Sequence, residues 1–221
     1  MLTDADELRH GWDGSADSSK VADVEAWWWW GHSPAADAGV FVGLELRGRR
    51  FDYWAGLVRV GEPYLLIEEM NSSGLRAGLE IKPSEMWADH QCDVPFHQWS
   101  LGNEAHGVLL DDPMEALHRA YGTPVAVTFD IEWFSNVAAT PIVGGYEQAG
   151  EVDARIELAA GVVAVEGPAH RVHVWGTPYR PPPMASAASG DGLRAPYRRH
   201  DGAKVAQRLT DRGWLVGVVD N

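Results

Sequence analysis

Beyond residue 20 the chain alternates apolar and polar residues in repeated short runs. That is the period of two expected of half-buried β-strands, whose successive side chains leave opposite faces. The clearest run is Thr123–Phe134, with Val125, Val127, Phe129, Ile131 and Trp133 on one face and Thr128, Asp130 and Glu132 on the other. Val40, Val42, Leu44 and Leu46 repeat the pattern, and residues 51–60, 64–70, 146–158 and 162–175 read as further strands, the last broken at Gly167-Pro168. Along 146–158 the charged residues Glu147, Glu151, Asp153, Arg155 and Glu157 oppose Tyr146, Gln148, Val152, Ile156 and Leu158. Gly48-Arg49-Arg50 and Gly61-Glu62-Pro63 supply turns between strands. Residues 204–219 predict a closing hairpin.

One short helix is expected. Asp112 is placed to cap it, Pro113 suits its first position, and Glu115 can complete a capping box. Met114, Leu117, His118 and Tyr121 then share a stripe, and Gly122 can end the helix. Many strands and one helix in a chain of this length favour an all-β antiparallel barrel over a helix-layered parallel sheet, because closure removes exposed strand edges. Residues 1–20, acidic and interspersed with Gly and Ser, read as a mobile arm, and 21–221 as a single domain with a long Pro/Gly-rich loop at 177–203.

Charge and composition narrow the function. The 18 basic and 32 acidic residues give a net charge of −14, which excludes nucleic acid as the expected partner, since phosphate binding needs clustered Lys and Arg. No apolar run reaches the roughly 20 residues of a membrane span, and the first residues carry no secretory signal, so a cytoplasmic location without membrane insertion is expected. The single Cys92 offers no disulfide. Tryptophan is the anomaly: 11 among 221 residues, four of them consecutive at 27–30, is enough indole to wall a cavity.

Three patches carry a family resemblance. Glu25-Ala26-Trp27-Trp28-Trp29-Trp30, Gly145-Tyr146-Glu147-Gln148-Ala149-Gly150 and Arg171-Val172-His173-Val174-Trp175-Gly176 together resemble the lipocalin-like family of carotenoid 1,2-hydratases and fungal Diels-Alderases. Ala26 interrupts the first motif, and Val172 and Val174 stand where that family often has Asp and Ser. The resemblance implies a lipocalin-like barrel that binds a hydrophobic isoprenoid or polyketide. It also implies a cofactor-free addition, isomerisation or cyclisation, of the lyase or isomerase type.

Candidate site residues follow from strand faces. Arg171, His173 and Trp175 share one face and Val172 and Val174 the other, so either set can be the inner one. With the trio inside, Arg171 and His173 could donate to a ligand carbonyl or move a proton. Tyr146 and Gln148 lie on the apolar face of their strand, and one of Glu68 and Glu69 must point inward. His173, Tyr146 and Glu68 are therefore the expected catalytic groups, and Arg171, Trp175, Gln148, Trp28, Trp30, Trp54 and Tyr64 the expected ligand contacts. His90, His97 and His106, with Asp89 and Asp93, lack regular ligand spacing, so no metal is assigned. Asn103 to Gly107 reads as a hairpin loop. The enzymatic reading is preferred, a non-catalytic carrier of a hydrophobic ligand is the alternative, and a homodimer is left open, with one Trp pair available to a second subunit.

Overall fold

The structure, a computed structural model, describes residues 2–10, 24–176 and 191–219. Ten antiparallel strands form the main sheet: β1 (Glu25–Ser33), β2 (Ala38–Arg47), β3 (Arg50–Arg59), β4 (Tyr64–Ser72), β5 (Met86–Val94), β6 (Gln98–Leu110), β7 (Thr123–Phe134), β8 (Thr140–Ile142), β9 (Gly145–Leu158) and β10 (Gly161–Trp175). The order β10-β1-β2-β3-β4-β6-β7-β9 closes on itself because β10 pairs with both β1 and β9, and β5 and β8 attach to β6 and β9. The all-β, antiparallel, barrel-like expectation is met. Among the described residues no helix is long and apolar enough to cross a membrane.

A second sheet, β11 (Leu193–Arg194), β12 (Tyr197–Arg198), β13 (Lys204–Thr210) and β14 (Gly213–Val219), lies against the outside of the ring. The hairpin expected at 204–219 therefore exists, but it does not close the barrel. Its apolar residues need a covered face, and they find one on β1 to β4. Two cores result. The inner one is built from Trp27, Trp29, Leu44, Tyr53, Ile67, Trp99, Phe129, Ile131, Trp133 and Ile156. The outer one holds Trp28, Trp30, Phe41, Trp54, Tyr64, Val172, Val174, Tyr197 and Val205.

The double core explains the run of tryptophans. A strand covered on one face alternates, as β7 and β9 do, whereas one covered on both faces is apolar throughout. On β1 the odd positions Glu25, Trp27 and Trp29 point inward, and Ala26, Trp28 and Trp30 point beneath the second sheet. The indole of Trp28 lies over Gly43, its partner on β2, where a Cβ would come within 2.2 Å of the ring, so only glycine fits. Both Trp pairs are buried within the chain, and no second subunit is needed to cover either.

Several local expectations are corrected. The predicted helix is one 3-10 turn, Pro113–Leu117; Asp112 caps it by accepting from the Met114 amide at 2.9 Å, and Ala120, not Gly122, takes the left-handed backbone. Strand β10 continues through Gly167-Pro168. Pro168 lies just past the last β1 pair, so its missing N–H breaks no ladder bond there, and a Cβ on Gly167 would sit 2.6 Å from the His32 carbonyl. Asn103 to Gly107 lies inside β6, not in a loop. Residues 2–10 form no free arm: a 3-10 turn, Asp4–Glu7, seats Glu7 in the barrel end at 1% exposure. Residues 11–20 of the expected arm and 177–190 of the expected loop lie outside the described residues.

Candidate functional site

The register of β1 against β10 settles which face of the 171–175 segment is inside. Trp29 pairs with Arg171 and Trp27 with His173, so Arg171 and His173 join the inner core face while Val172 and Val174 enter the outer core. Strand β9 pairs Tyr146 with His173 and Gln148 with Arg171. Four residues read from the sequence, Arg171, His173, Tyr146 and Gln148, thus converge at one end of the ring, with Trp175 stacked on His10 just above them at 3.9 Å.

Glu7 fills the centre of this end. Its carboxylate takes a bidentate ion pair from Arg171, and it accepts from Tyr146 Oη (2.9 Å), Trp99 Nε1 (3.0 Å) and the Phe96 amide (2.7 Å). Arg171 also donates to Gln148 Oε1 from Nε (3.1 Å) and Nη2 (2.7 Å), and its guanidinium lies over the Trp133 ring at 4.5 Å. Burial alone would push the Glu7 carboxyl up, but Arg171 and Tyr146 outweigh it and hold it below the ordinary carboxylate value. Burial pushes the Tyr146 hydroxyl far up, so it stays protonated.

Beside this pair, Glu25 bridges two imidazoles. Its Oε1 lies 2.8 Å from His173 Nε2 and 2.9 Å from His10 Nδ1, and the His10 amide donates to both carboxylate oxygens at 3.0 Å. Trp27 stacks on His173 at 4.5 Å. Complete burial lowers the His173 value despite Glu25 beside it, whereas in the half-buried His10 the pull of Glu25 and Asp6 exceeds the cost of burial and raises it. The resting arrangement is a neutral His173, an ionised Glu25 and a His10 that readily carries charge.

Below these groups the inner wall carries polar atoms without partners. The indole N–H groups of Trp27, Trp29 and Trp133 and Oδ1 of Asn103 are buried and make no hydrogen bond among the described residues. Asn103 does donate to Tyr53 Oη at 2.7 Å. His90, from a polar stretch where no element is expected, is also inside, stacked on Trp29 at 5.6 Å; burial lowers it to about 4, and a contact to the Leu79 backbone offsets this only in part. Cys92 is no nucleophile, because burial and the nearby Glu7 push its thiol up to about 12.

The other expected site residues are elsewhere. Trp28, Trp30, Trp54 and Tyr64 do not line the ring interior; they belong to the outer core, where Trp30 donates to Gln207 (2.6 Å), Trp54 to the Arg198 carbonyl (3.0 Å) and Tyr64 to the Pro196 carbonyl (3.1 Å). Glu68 faces the same outer side, 3.7 Å from Arg198, and burial raises its carboxyl there. The inward member of that pair is Glu69, near the rim, where Ser72 Oγ donates to it. Nearby, buried Glu45 and Asp52 face one another across β2 and β3, and Arg199 (2.9 Å) and His200 (3.0 Å) anchor the second sheet to them.

Glu7, His10 and Glu25 were missed as site residues. Glu25 stood in the quoted opening motif without a role, and nothing periodic marks Glu7 or His10 within their acidic stretch. Comparison with protein-family models, curated proteins and solved structures finds no match for this chain.

Proposed function

We propose that this protein binds an apolar small molecule bearing one polar group inside the ring, and that the end sealed by residues 2–10 promotes proton-transfer chemistry on it. The observation that carries this reading is the set of unpartnered inward atoms on Trp27, Trp29, Trp133 and Asn103. Buried polar groups are almost always hydrogen-bonded, so a wall of indoles with three idle donors and one idle acceptor calls for a guest with polar atoms.

The chemistry rests on the groups above that wall. Glu7 occupies the place at Arg171 and Tyr146 that a ligand carbonyl or carboxylate would take. A ligand entering there displaces Glu7, frees two donors for its developing oxyanion, and brings its adjacent carbon near His173, which Glu25 orients as the proton carrier. The class of reaction is an addition, isomerisation or cyclisation without an organic cofactor, as the resemblance to the carotenoid hydratase and Diels-Alderase family implies.

A carrier with no chemistry is the second reading. It is favoured by Arg171, whose guanidinium is fully engaged by Glu7, Gln148 and Tyr146, as in a purely structural staple. Native mass spectrometry of the purified chain tests both. A lipophilic molecule bound one to one, and lost in Asn103→Leu, is expected. A ligand returned altered after incubation indicates the enzyme, and one returned intact the carrier. An unliganded mass alone, unchanged in the variant and after adding apolar ketones, contradicts both.

A further inference from the structure

Two imidazoles at the barrel end converge on one carboxylate oxygen. Glu25 Oε1 lies 2.8 Å from His173 Nε2 and 2.9 Å from His10 Nδ1, so each ring nitrogen donates its proton there. On the far side of the rings, His173 Nδ1 stands 3.3 Å from Tyr146 Oη, and His10 Nε2 stands 3.5 Å from Asp6 Oδ1. A cation that replaces the two protons held against Glu25 turns both nitrogens into ligands, and the three ligand atoms lie within 4.8 Å of one another.

We infer that His10, Glu25 and His173 form a binding site for a divalent first-row transition metal, of the Zn2+, Co2+ or Fe2+ kind. Ligand atoms about 2.1 Å from such an ion and about 90–109° apart stand about 3.0–3.4 Å from each other, so the two nitrogen–oxygen spacings, 2.8 and 2.9 Å, need to open by only a few tenths of an ångström, and the two imidazole nitrogens already stand within 4.8 Å of each other. Two imidazoles with one carboxylate favour these ions over Mg2+ or Ca2+, which take oxygen ligands. The supporting partners are already in place: Asp6 behind His10 and Tyr146 behind His173 are positioned to accept the N–H that each ring carries on its far nitrogen once a metal takes the near one. Asp6, Glu7 and Glu25 outnumber the local cations Arg9 and Arg171, so the field at this end accepts positive charge. His10 is partly exposed, at 23% of its side chain, which provides the entry path and a side open to exchangeable water. Without metal, protons hold these positions and compete with the ion for the same lone pairs.

One ligand comes from residues 2–10 and two from the ring, so the ion ties the N-terminal segment to the barrel. This inference stands apart from the proposed apolar ligand, because it needs neither the inner wall nor any turnover. The test is a titration of the full, tag-free, chelator-treated chain with Zn2+ by calorimetry and with Co2+ by visible absorption. One ion per chain is expected, together with slower hydrogen exchange of the His10 amide. His10→Ala should weaken binding by at least about 100-fold, more than the roughly 10–100-fold expected of Asp6→Ala, which only orients a ligand. His10 lies on the outer segment, so this variant leaves the ring intact. His200→Ala, at the separate Glu45, Asp52 and His200 cluster, should leave affinity unchanged. Failure to bind one equivalent of either ion, binding indifferent to His10→Ala, or binding lost with His200→Ala overturns the assignment.

Discussion

Arg171→Met is expected to lower folding stability by about 3–5 kcal/mol, and Glu7→Gln/Arg171→Met by distinctly less. Both charges lie fully inside the protein, with side-chain exposures of 1% and 0%. Deleting one partner of such a pair strands the other without water or counter-charge, and the cost is that of an uncompensated buried ion. Removing both charges leaves neutral groups of similar size between the Trp133 and Trp99 rings, so a double-mutant cycle in urea should show strong coupling. Near-additive losses would mean that the pair is not a closed unit. The pH dependence has a defined sign. The folded carboxyl of Glu7 is held below its ordinary value of 4.5, so between the two values the unfolded chain binds more protons. The contribution of Glu7 is complete above pH 4.5 and fades as pH falls through the folded value. The gap between wild type and Glu7→Gln should narrow accordingly.

His90→Phe should flatten the acid limb of the stability curve between pH 6.5 and 4. His90 is buried and neutral, with its value lowered from 6.5 to about 4. Between those limits the unfolded chain takes up a proton that the folded chain refuses, so stability falls as pH falls, by on the order of 3 kcal/mol across the window. Phenylalanine keeps the stack on Trp29 and cannot titrate. Chemical denaturation at several pH values, with tryptophan emission as the signal, reads the slope directly. An unchanged slope in the variant would show that His90 is hydrated or charged in the folded protein.

The fold was legible where one face of a strand meets water. The strand Thr123–Phe134 emerged with its bounds intact because Thr128, Asp130 and Glu132 mark its outer side. Legibility failed where both faces are covered. Trp27 to Trp30 carry no period-two signal, and Val172 and Val174 are as buried as Arg171 and His173, so polarity alone could not choose the inner face. The same ambiguity sent Trp28, Trp30, Trp54 and Tyr64 to the wrong wall, since nothing in their sequence announces the second sheet that covers them. Strands β5 and β6 were missed because polar residues fall in their interior faces: His90 sits in a polar stretch without alternation, and Asn103 to Gly107 reads as a hairpin loop. Glu7 was beyond reach for another reason: its partner Arg171 is 164 positions away, and an ion pair of that span leaves no local pattern.

A guest bound as proposed enters the ring and meets the inward indoles, not the outer core. Nitrogen-15 correlation spectra of the indole N–H groups, assigned by single Trp→Phe variants and followed during titration with β-ionone, an apolar ketone, separate the two walls. The signals of Trp27, Trp29 and Trp133, which have no hydrogen-bond partner among the described residues, should shift and saturate together. Those of Trp30, Trp54 and Trp214, held by Gln207, the Arg198 carbonyl and the Gly31 carbonyl, should stay in place. Shifts confined to the outer three, or none at all, would contradict binding inside the ring.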